Sequence, residues 1–399
     1  ADRARRRGGA PRCDDGAAVA VSNRPGPVLG PALAPARTTV LATVLATVLA
    51  TVLGAAACSA DAAWLVEQGV GQAEVLAAAR PIGPLVRDPR VPAVVRRRLA
   101  LAVAARNFAK TELGLAVGFQ YRTAAFLDAP AVVYVVAAAP RTSLEPQTWR
   151  YPILGELPYR GYFSIDDAEG AARALADQGL DVDVRPVTTF SLLGVAPDPV
   201  LSTMLFSGDE LTLVETVIHE LAHATLFVPG QGAFNEGLAT FIGREGRRRF
   251  VLKHWGEGSA IRSRMDSRDR DDAAYLRGVG ALAFDLRVLF AQAGTLRAAE
   301  LLARKDHIFV EHQRHWEEEV APTLTSVRYR RARLPENNAQ LSSFGIYTLK
   351  QRVYQEAYLG CHEELRCLLS LLRRVAAEPD PELALAERVH RRGAEVFLP

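Results

Sequence analysis

Lysine and cysteine are both scarce in this chain, and each scarcity excludes a class of protein. Only four of the 48 basic residues are lysines, the net charge is +3, and no long basic stretch is interleaved with aromatic residues. This composition excludes DNA and RNA as partners. The four cysteines form no Cys-x-x-Cys pair, which excludes a cysteine zinc module. Any metal site must therefore be built from histidine and carboxylate side chains.

Cys361 and Cys367 lie six residues apart in a segment with helical periodicity. Six positions along a helix place two side chains on different faces, so the sequence gives no reason to assume a disulfide between them.

The N-terminal region divides into two parts before the first amphipathic segment. Residues 1–37 are rich in arginine, glycine and proline and have no hydrophobic period, which is typical of a disordered extension. Residues 38–57 are an uncharged apolar run of near-copies of Thr-Val-Leu-Ala, and Cys58 follows directly. A basic flank, an apolar stretch and small residues before a cleavage point are the parts of a secretory signal.

Ala55-Ala56-Ala57-Cys58 resembles a bacterial lipobox, in which the cysteine is lipidated, although Ala55 stands where leucine is preferred. The alternative is an uncleaved membrane anchor, because a helix of about 20 residues is ~30 Å long and can span a bilayer. Both alternatives predict an exported protein held at the cell envelope, with residues from about 60 onward on the periplasmic side.

The hydrophobic periodicity after Cys58 predicts one α+β unit over residues 58–399, mostly helical and with a small sheet. The predicted elements are helices over 62–79, 91–113 and 166–179, strands over 131–137 and 181–187, and helices from about 251 onward, broken near Pro322, Pro335 and Pro379.

Residues 213–246 carry the most informative pattern, His-Glu-x-x-His at His219 to His223. Two histidines four apart on a helix project from one face and can reach one metal ion. Glu220 lies about 100° round the helix from His219, too far to share the ion comfortably but close enough to contact a water bound to it. The spacing therefore predicts two histidine ligands and Glu220 as the general base.

A catalytic zinc ion needs a third protein ligand and one open position. Pro229, Gly230 and Gly232 break the chain and permit a reversal. A second helical segment with Asn-Glu-Gly-Leu-Ala from Asn235 then brings Glu236 back toward the histidines. The pattern thus predicts one zinc ion held by His219, His223 and Glu236. The alternative is a surface helix with two solvated histidines, but Ile218 and Leu221 between them argue against a polar face.

Residues His219 to Thr240 resemble the gluzincin metallopeptidases, and the wider chain resembles a bacterial family of zinc aminopeptidases, many with lipoprotein-type signals. The matching blocks are Thr148–Phe163, Phe190–Gly194 with the Asp-Pro-Val-Leu-Ser-Thr-Met-Leu that follows, the zinc segment, and Asn337–Leu341. The resemblance covers about residues 58–360. It implies a zincin-like fold, and the aminopeptidase activity rests on it alone.

The sequence departs from thermolysin-like gluzincins at Thr240, where an acidic residue commonly follows the third ligand by four positions. A histidine must then be oriented by another group. Glu215, one turn before His219, is one possibility, and the simpler expectation is an exposed helix glutamate.

The predicted reaction is hydrolysis of a peptide bond, in which Glu220 takes a proton from a zinc-bound water and passes it to the leaving amine. Tyr347 is the first candidate for stabilising the oxyanion, with Tyr159 and Tyr162 as further candidates. Each tyrosine could equally be a core residue with a satisfied hydroxyl. An aminopeptidase also needs an acidic anchor for the substrate amine, and Glu145, Glu156 and Asp198 are candidates that spacing cannot rank.

Two interpretations remain at this point. The first is a zinc metallopeptidase that acts on peptides at the membrane. The second is a non-catalytic envelope lipoprotein in which zinc is structural or binds a partner. An intact Glu220 favours the enzyme, because a structural site has no use for a base beside an open coordination position. The remaining histidines lie in charged surroundings, and the His312 and His315 pair is expected to be solvated rather than a second metal site.

Overall fold

The structure, a computed structural model, describes residues 60–151, 155–189, 197–348 and 351–396, and the side chains of these except 60–63, 345–348 and 391–396. They belong to one unit of the chain, Ser59–Pro399. The helices are α1 Ala60–Ala77, α2 Ile82–Arg87, α3 Ala93–Thr111, α4 Ile165–Ala176, α5 Ser202–Phe206, α6 Glu210–Thr225, α7 Gly232–Trp255, α8 Ala260–Phe290, α9 Ala298–His315, α10 Val327–Arg330, α11 Asn338–Thr348, α12 Gln351–Leu359, α13 Leu365–Val375 and α14 Pro381–Val396.

The strands are short and form small sheets. They are β1 Arg80–Pro81, β2 Thr123–Ala125, β3 Val133–Pro140, β4 Trp149–Tyr151, β5 Gly155–Leu157, β6 Arg160–Tyr162, β7 Leu180–Val187 and β8 Val200–Leu201. One sheet has the order β6-β3-β7 with antiparallel pairs, a second has the order β1-β2-β8, and β4 pairs with β5. The predicted mostly helical α+β class is confirmed, as are the strands and helices predicted between residues 62 and 187.

The predicted strand around residues 131–137 becomes the central strand β3, and its composition explains this position. Most of β3 is buried, and a run of valine and alanine with no charge is what a strand covered on both faces requires. On one side α4 packs against it, with Ala168 and Ala172 buried against Val136. The N-terminus of α4 is capped by Ser164, whose hydroxyl accepts from the amide of Asp167.

The main hydrophobic core joins α3, α6, α7, α12 and α13. Leu99, Leu221, Leu238 and Leu368 contribute fully buried side chains to it. A second core lies between α8, α9 and α11, around the buried Trp316. The main core therefore surrounds the two helices that carry the predicted metal ligands.

The predicted placement of Cys361 and Cys367 on different faces of one helix is wrong. The two residues are bonded to each other. The helix assumed in that segment ends at Leu359, and a new one begins at Leu365. Between them His362 and Glu363 have positive φ angles of 53° and 60°, which turn the chain and remove the helical separation on which the prediction depended.

Among the described residues, no helix has both the length and the apolar character needed to cross a bilayer. The predicted disordered extension, the apolar run 38–57 and the proposed lipid attachment at Cys58 lie outside the described residues, as does the Phe190–Gly194 block.

Candidate metal centre

Helix α6 carries the two predicted histidine ligands, and its sequence explains its start and its depth. Asp209 caps the N-terminus by accepting a hydrogen bond from the amide of Thr212 at 3.0 Å. The apolar residues that follow, including Val217, Ile218 and Leu221, are fully buried. The helix therefore lies in the main core and holds His219 and His223 at fixed positions.

The turn after α6 is fixed by one side chain next to the third ligand. Asn235 accepts a hydrogen bond from the amide of Val228 and donates one to its carbonyl, both at 2.8 Å. Gly230 within the turn has a φ angle of 76°, a conformation that favours glycine. This two-point attachment fixes the start of α7 and with it the position of Glu236.

Helices α6 and α7 are antiparallel and in close contact. Glu236 lies beside His223 and His219, and Arg247, further along α7, lies beside Glu215, further back along α6. A Cβ on Gly243 would lie 3.2 Å from the Cβ of His219. Small residues on α7 therefore allow the approach that brings the carboxylate to the histidines.

Three side chains converge as the sequence predicts. The Nε2 atoms of His219 and His223 are 3.1 Å apart, and Oε2 of Glu236 is 3.4 and 3.5 Å from them. In tetrahedral zinc sites, metal bonds of about 2.0–2.2 Å place neighbouring ligand atoms roughly 3.3–3.5 Å apart. Within the described residues this is the one group of three or more metal-ligating side chains that could hold an ion.

The burial of His223 and Glu236 also indicates a site that could hold a metal ion. His223 is almost fully buried, and its Nδ1 atom and Oε2 of Glu236 are buried without a hydrogen-bond partner in the described part of the chain. Buried polar atoms are normally satisfied, so unsatisfied ones need an explanation. For Glu236 a metal ion would supply the missing interaction, and the His2Glu donor set suits zinc.

The charges in the site influence one another. Burial alone would raise the pKa of Glu236, but the facing histidines His223 and His219 lower it far below its usual range. Burial would lower the pKa of His219, but the carboxylates of Glu236 and Glu220 outweigh burial and raise it. Glu236 therefore stays ionised, as a metal ligand must.

Glu220 lies beside the three ligands without joining them. It is half-buried and does not belong to the metal-ligating group. The charge of Glu220 acts on two tyrosines. The pKa of Tyr159 is raised first by burial, then by the charge of Glu236, and to a smaller extent by other groups that include Glu220. The pKa of Tyr121 is raised by burial and by the charges of Glu220 and Asp198. Glu220 thus shares its surroundings with two protonated hydroxyls.

The predicted tyrosines have different positions. Tyr347 is in α11, and its side chain lies outside the described part. Tyr162 packs with Val136 and Ala168 on the α4 side of the sheet, which is a core position. Tyr159 packs against the main core and couples electrostatically to Glu236 and Glu220. Tyr121 gave no sequence signal, because it lies in a loop far from the motif.

The Thr148–Phe163 block packs on the turn between α6 and α7. A Cβ on Gly155 would lie 2.5 Å from the amide nitrogen of Gly230. Trp64 on α1 donates a hydrogen bond to the carbonyl of Gly161 at 2.8 Å, and the guanidinium of Arg160 lies 4.5 Å from its ring centre. This block therefore supports the Glu236 side of the site and places Tyr159 there.

Glu215 is not the exposed glutamate expected from the sequence. It lies at the α6, α7 and α8 contact, with Arg247 at 2.8 Å, Arg268 at 3.3 Å and Arg244 at 3.8 Å. Burial opposes ionisation, but these arginines lower the pKa of Glu215. Its carboxylate is therefore engaged with arginines, one turn before His219.

Helix α12 supports the third ligand from the other side. The hydroxyl of Tyr354 donates to the carbonyl of Phe234 at 3.1 Å, and the amide of Gln351 donates to the carbonyl of Gly237 at 3.1 Å. These two carbonyls flank Glu236 in the chain. The disulfide of Cys361 and Cys367 closes the loop that follows α12.

The remaining predicted candidates do not belong to the metal-ligating group. His312 is half-buried and pairs with Asp285 at 2.8 Å, and the exposed His315 lies 3.2 Å from Glu319. Each of these histidines therefore has a carboxylate partner of its own. Glu145 and Glu156 are exposed. Asp198 is 2% exposed and its charge acts on Tyr121.

Comparison with known proteins identifies a family for this chain. A family model described as "Putative aminopeptidase" matches residues 63–385, which are most of the described chain and include His219, His223 and Glu236. No curated protein and no solved structure matches.

Proposed function

The chain belongs to this aminopeptidase family, and from that premise we propose that it is a zinc-dependent aminopeptidase with a zincin-like, gluzincin-type catalytic unit. His219, His223 and Glu236 hold one zinc ion, and Glu220 is the general base. The observation that carries the proposal is the convergence of three ligand atoms within 3.5 Å of one another, with a second carboxylate beside them that is not a ligand.

The division of labour between the two carboxylates follows from their positions. When bound, zinc supplies a Lewis acid that polarises the substrate carbonyl and lowers the pKa of water toward about 7. Glu236 is charged and faces both histidines, so it serves as a ligand. Glu220 accepts a proton from the attacking water on a carboxylate oxygen and delivers it to the nitrogen of the leaving amine as the peptide bond breaks.

Tyr159 is our first candidate for the hydrogen bond to the developing oxyanion. Burial, followed by the charge of Glu236 and then of other groups that include Glu220, raises its pKa, so the hydroxyl remains a donor throughout the neutral range. Tyr347 is the second candidate. Tyr159→Phe and Tyr347→Phe separate the two candidates. The substitution that removes the hydroxyl bound to the oxyanion should lower kcat and leave the metal content unchanged, and the other substitution should leave kcat unchanged.

The aminopeptidase assignment requires a carboxylate for the substrate amine. Among Glu145, Glu156 and Asp198, only Asp198 is buried and shares the surroundings of Tyr121 with Glu220. Glu156 is exposed and pairs with Arg150 at 2.9 Å. We therefore place Asp198 at the amine subsite. Asp198→Asn should raise KM for free-amine substrates and leave cleavage of amine-blocked peptides unchanged.

We also propose that the protein works outside the cytoplasm, attached to the membrane by lipidated Cys58 or by an uncleaved anchor. The disulfide of Cys361 and Cys367 supports this compartment, because such bonds form and persist in oxidising environments. Mass spectrometry of the membrane fraction tests the attachment. A modified cysteine at the N-terminus supports lipidation, and an intact 38–57 segment supports the anchor.

The function is tested by metal analysis of the purified protein followed by a peptide screen. We expect one zinc per chain and cleavage of aminoacyl substrates with a free amine, abolished by a chelator and restored by zinc. Preference for internally quenched, amine-blocked peptides would replace the aminopeptidase by an endopeptidase. A zinc-loaded protein that cleaves no peptide would instead favour the non-catalytic envelope lipoprotein.

A further inference from the structure

A surface cleft lies between α2, α3 and the chain after the Tyr121 turn. It has a volume of about 390 Å³, and its lining includes the apolar side chains of Ile82, Val86 and Val103. The guanidinium-bearing residues Arg87, Arg106 and Arg122 also line it. Tyr121, whose pKa the charge of Glu220 helps to raise, also lines it. The cleft thus combines apolar walls with several positive charges.

The arginines of this cleft lack carboxylate partners in the described part of the chain. Arg106 is 9% exposed and donates to the carbonyls of Gln120 at 2.6 Å and Gly118 at 2.8 Å. Burial and the neighbouring charge of Arg122 lower the pKa of Arg106. Arg87 and Arg122 are exposed. A buried cation without a counterion is costly, so an external anion would stabilise this arrangement.

The segment that contributes the cleft residues is strongly basic as a whole. Residues 80–122 contain nine basic and two acidic residues, although the whole chain has a net charge of only +3. The rest of the protein is therefore net negative. Such segregation favours binding to an anionic surface through this segment.

An aromatic side chain stands at the rim. Phe119 is 68% exposed, and the guanidinium of Arg122 lies 4.9 Å from its ring centre. Exposed aromatic side chains next to basic ones are typical of proteins that insert into the interfacial region of a bilayer. Phe119 thus adds an apolar contact to the positive charge.

We propose that the cleft and Phe119 form a membrane-contact face that binds the headgroups of anionic phospholipids and inserts Phe119 among them. The apolar walls favour a lipid over a nucleic acid, because one exposed ring, Phe119, does not provide the successive aromatic platforms on which bases stack. This inference goes beyond the proposed hydrolysis and the proposed N-terminal attachment, because it rests on neither the metal ligands nor Glu220 nor Cys58.

The test uses the full chain in phosphatidylcholine vesicles with and without phosphatidylglycerol, with brominated lipids as quenchers. We expect the added tryptophan of Phe119→Trp to be quenched when phosphatidylglycerol is present. Phe284→Trp, at a position on α8 that is 64% exposed, should not be quenched and is the matched control. Quenching should weaken as salt rises, because the Debye length falls from about 30 Å at 0.01 M to about 3 Å at 1 M.

Reversing the charges of two cleft arginines tests whether the positive charge of the cleft is required for binding. Arg87→Glu with Arg122→Glu, made in Phe119→Trp, should reduce quenching to the control level, since each basic residue near such a surface contributes about five-fold to binding. Arg277→Glu with Arg287→Glu, at exposed positions on α8, should have no effect. Equal quenching with zwitterionic vesicles, no quenching with anionic ones, or displacement by single-stranded RNA but not by added anionic vesicles would each overturn the proposal.

Discussion

The α6 and α7 helix pair and the segments that support it are built in different ways. In the pair, ligand positions follow from local rules: four-residue spacing on one helix, a turn with Gly230, and Asn235 attached to Val228. The supports come from distant parts of the chain, with Gly155 against the turn and Tyr354 against Phe234. The pair therefore determines which chemistry is possible, and the supports determine how well its geometry is held.

The largest effect is expected inside the pair. His223→Ala should lose the metal and activity together, by more than the roughly 10²–10⁴-fold that general-base assistance supplies, because a ligand is removed. The unfolding temperature should also fall, since bound metal stabilises the folded state. Metal content, turnover and calorimetry check this. His312→Ala, which loses only the contact with Asp285, is the control, and metal retained in His223→Ala would break the ligand assignment.

The next effect is at the contact between the pair and α8. Glu215→Gln should destabilise the fold by about 2 kcal/mol at neutral pH, because it removes one of the two carboxylates that pair with the buried Arg247, the other being Asp269. The pKa of Glu215 is lowered in the folded protein from an ordinary value of 4.5. Its contribution is therefore complete above that value and is lost as pH falls through the folded pKa.

Denaturant titrations of wild type and Glu215→Gln over a pH series measure this contribution. The difference in unfolding free energy should shrink below pH 4.5. A constant difference down to the acid transition would show that the charge of Glu215 is not what stabilises the contact.

A smaller effect is expected where strand β5 meets the turn between α6 and α7. Gly155 and Gly179 have φ angles of 76° and 82°, but only Gly155 has neighbours that a Cβ would strike. Gly179→Ala should cost about 1 kcal/mol from backbone strain alone, and Gly155→Ala a further 1–3 kcal/mol, approximately, from overpacking. Gly155→Ala should also lower activity, because Gly230 must move. Equal stabilities and activities of Gly155→Ala and Gly179→Ala would show that the contact between Gly155 and Gly230 does not affect the site.

The smallest effect concerns α12. Tyr354→Phe keeps the ring against Gly237 but removes the hydrogen bond to Phe234, at a cost of about 1 kcal/mol. Tyr275→Phe removes a comparable bond to Arg333 in the second core. Both variants should lose similar stability, and only Tyr354→Phe should weaken zinc affinity. Equal zinc affinity in the two would show that α12 does not act on the ligand.

The same division explains what sequence could predict. Spacing identified the two histidines, and the Pro229–Gly232 break identified Glu236, because these depend on neighbouring residues. The arginines around Glu215 and the place of Tyr121 depend on contacts between distant segments, which periodicity does not encode. The disulfide was missed because the segment looked helical, and the two residues with positive φ that interrupt it, His362 and Glu363, carry no pattern that would reveal this.

The central claim is that Glu220 acts as a base beside the metal and not as a ligand, and Glu220→Gln tests it most directly. The amide keeps the shape of the side chain and leaves His219, His223 and Glu236 in place, so zinc content and unfolding temperature should match wild type. Turnover should fall by roughly 10²-fold or more, because the amide cannot accept the proton. A zinc-loaded Glu220→Gln protein with near-normal turnover would contradict the account.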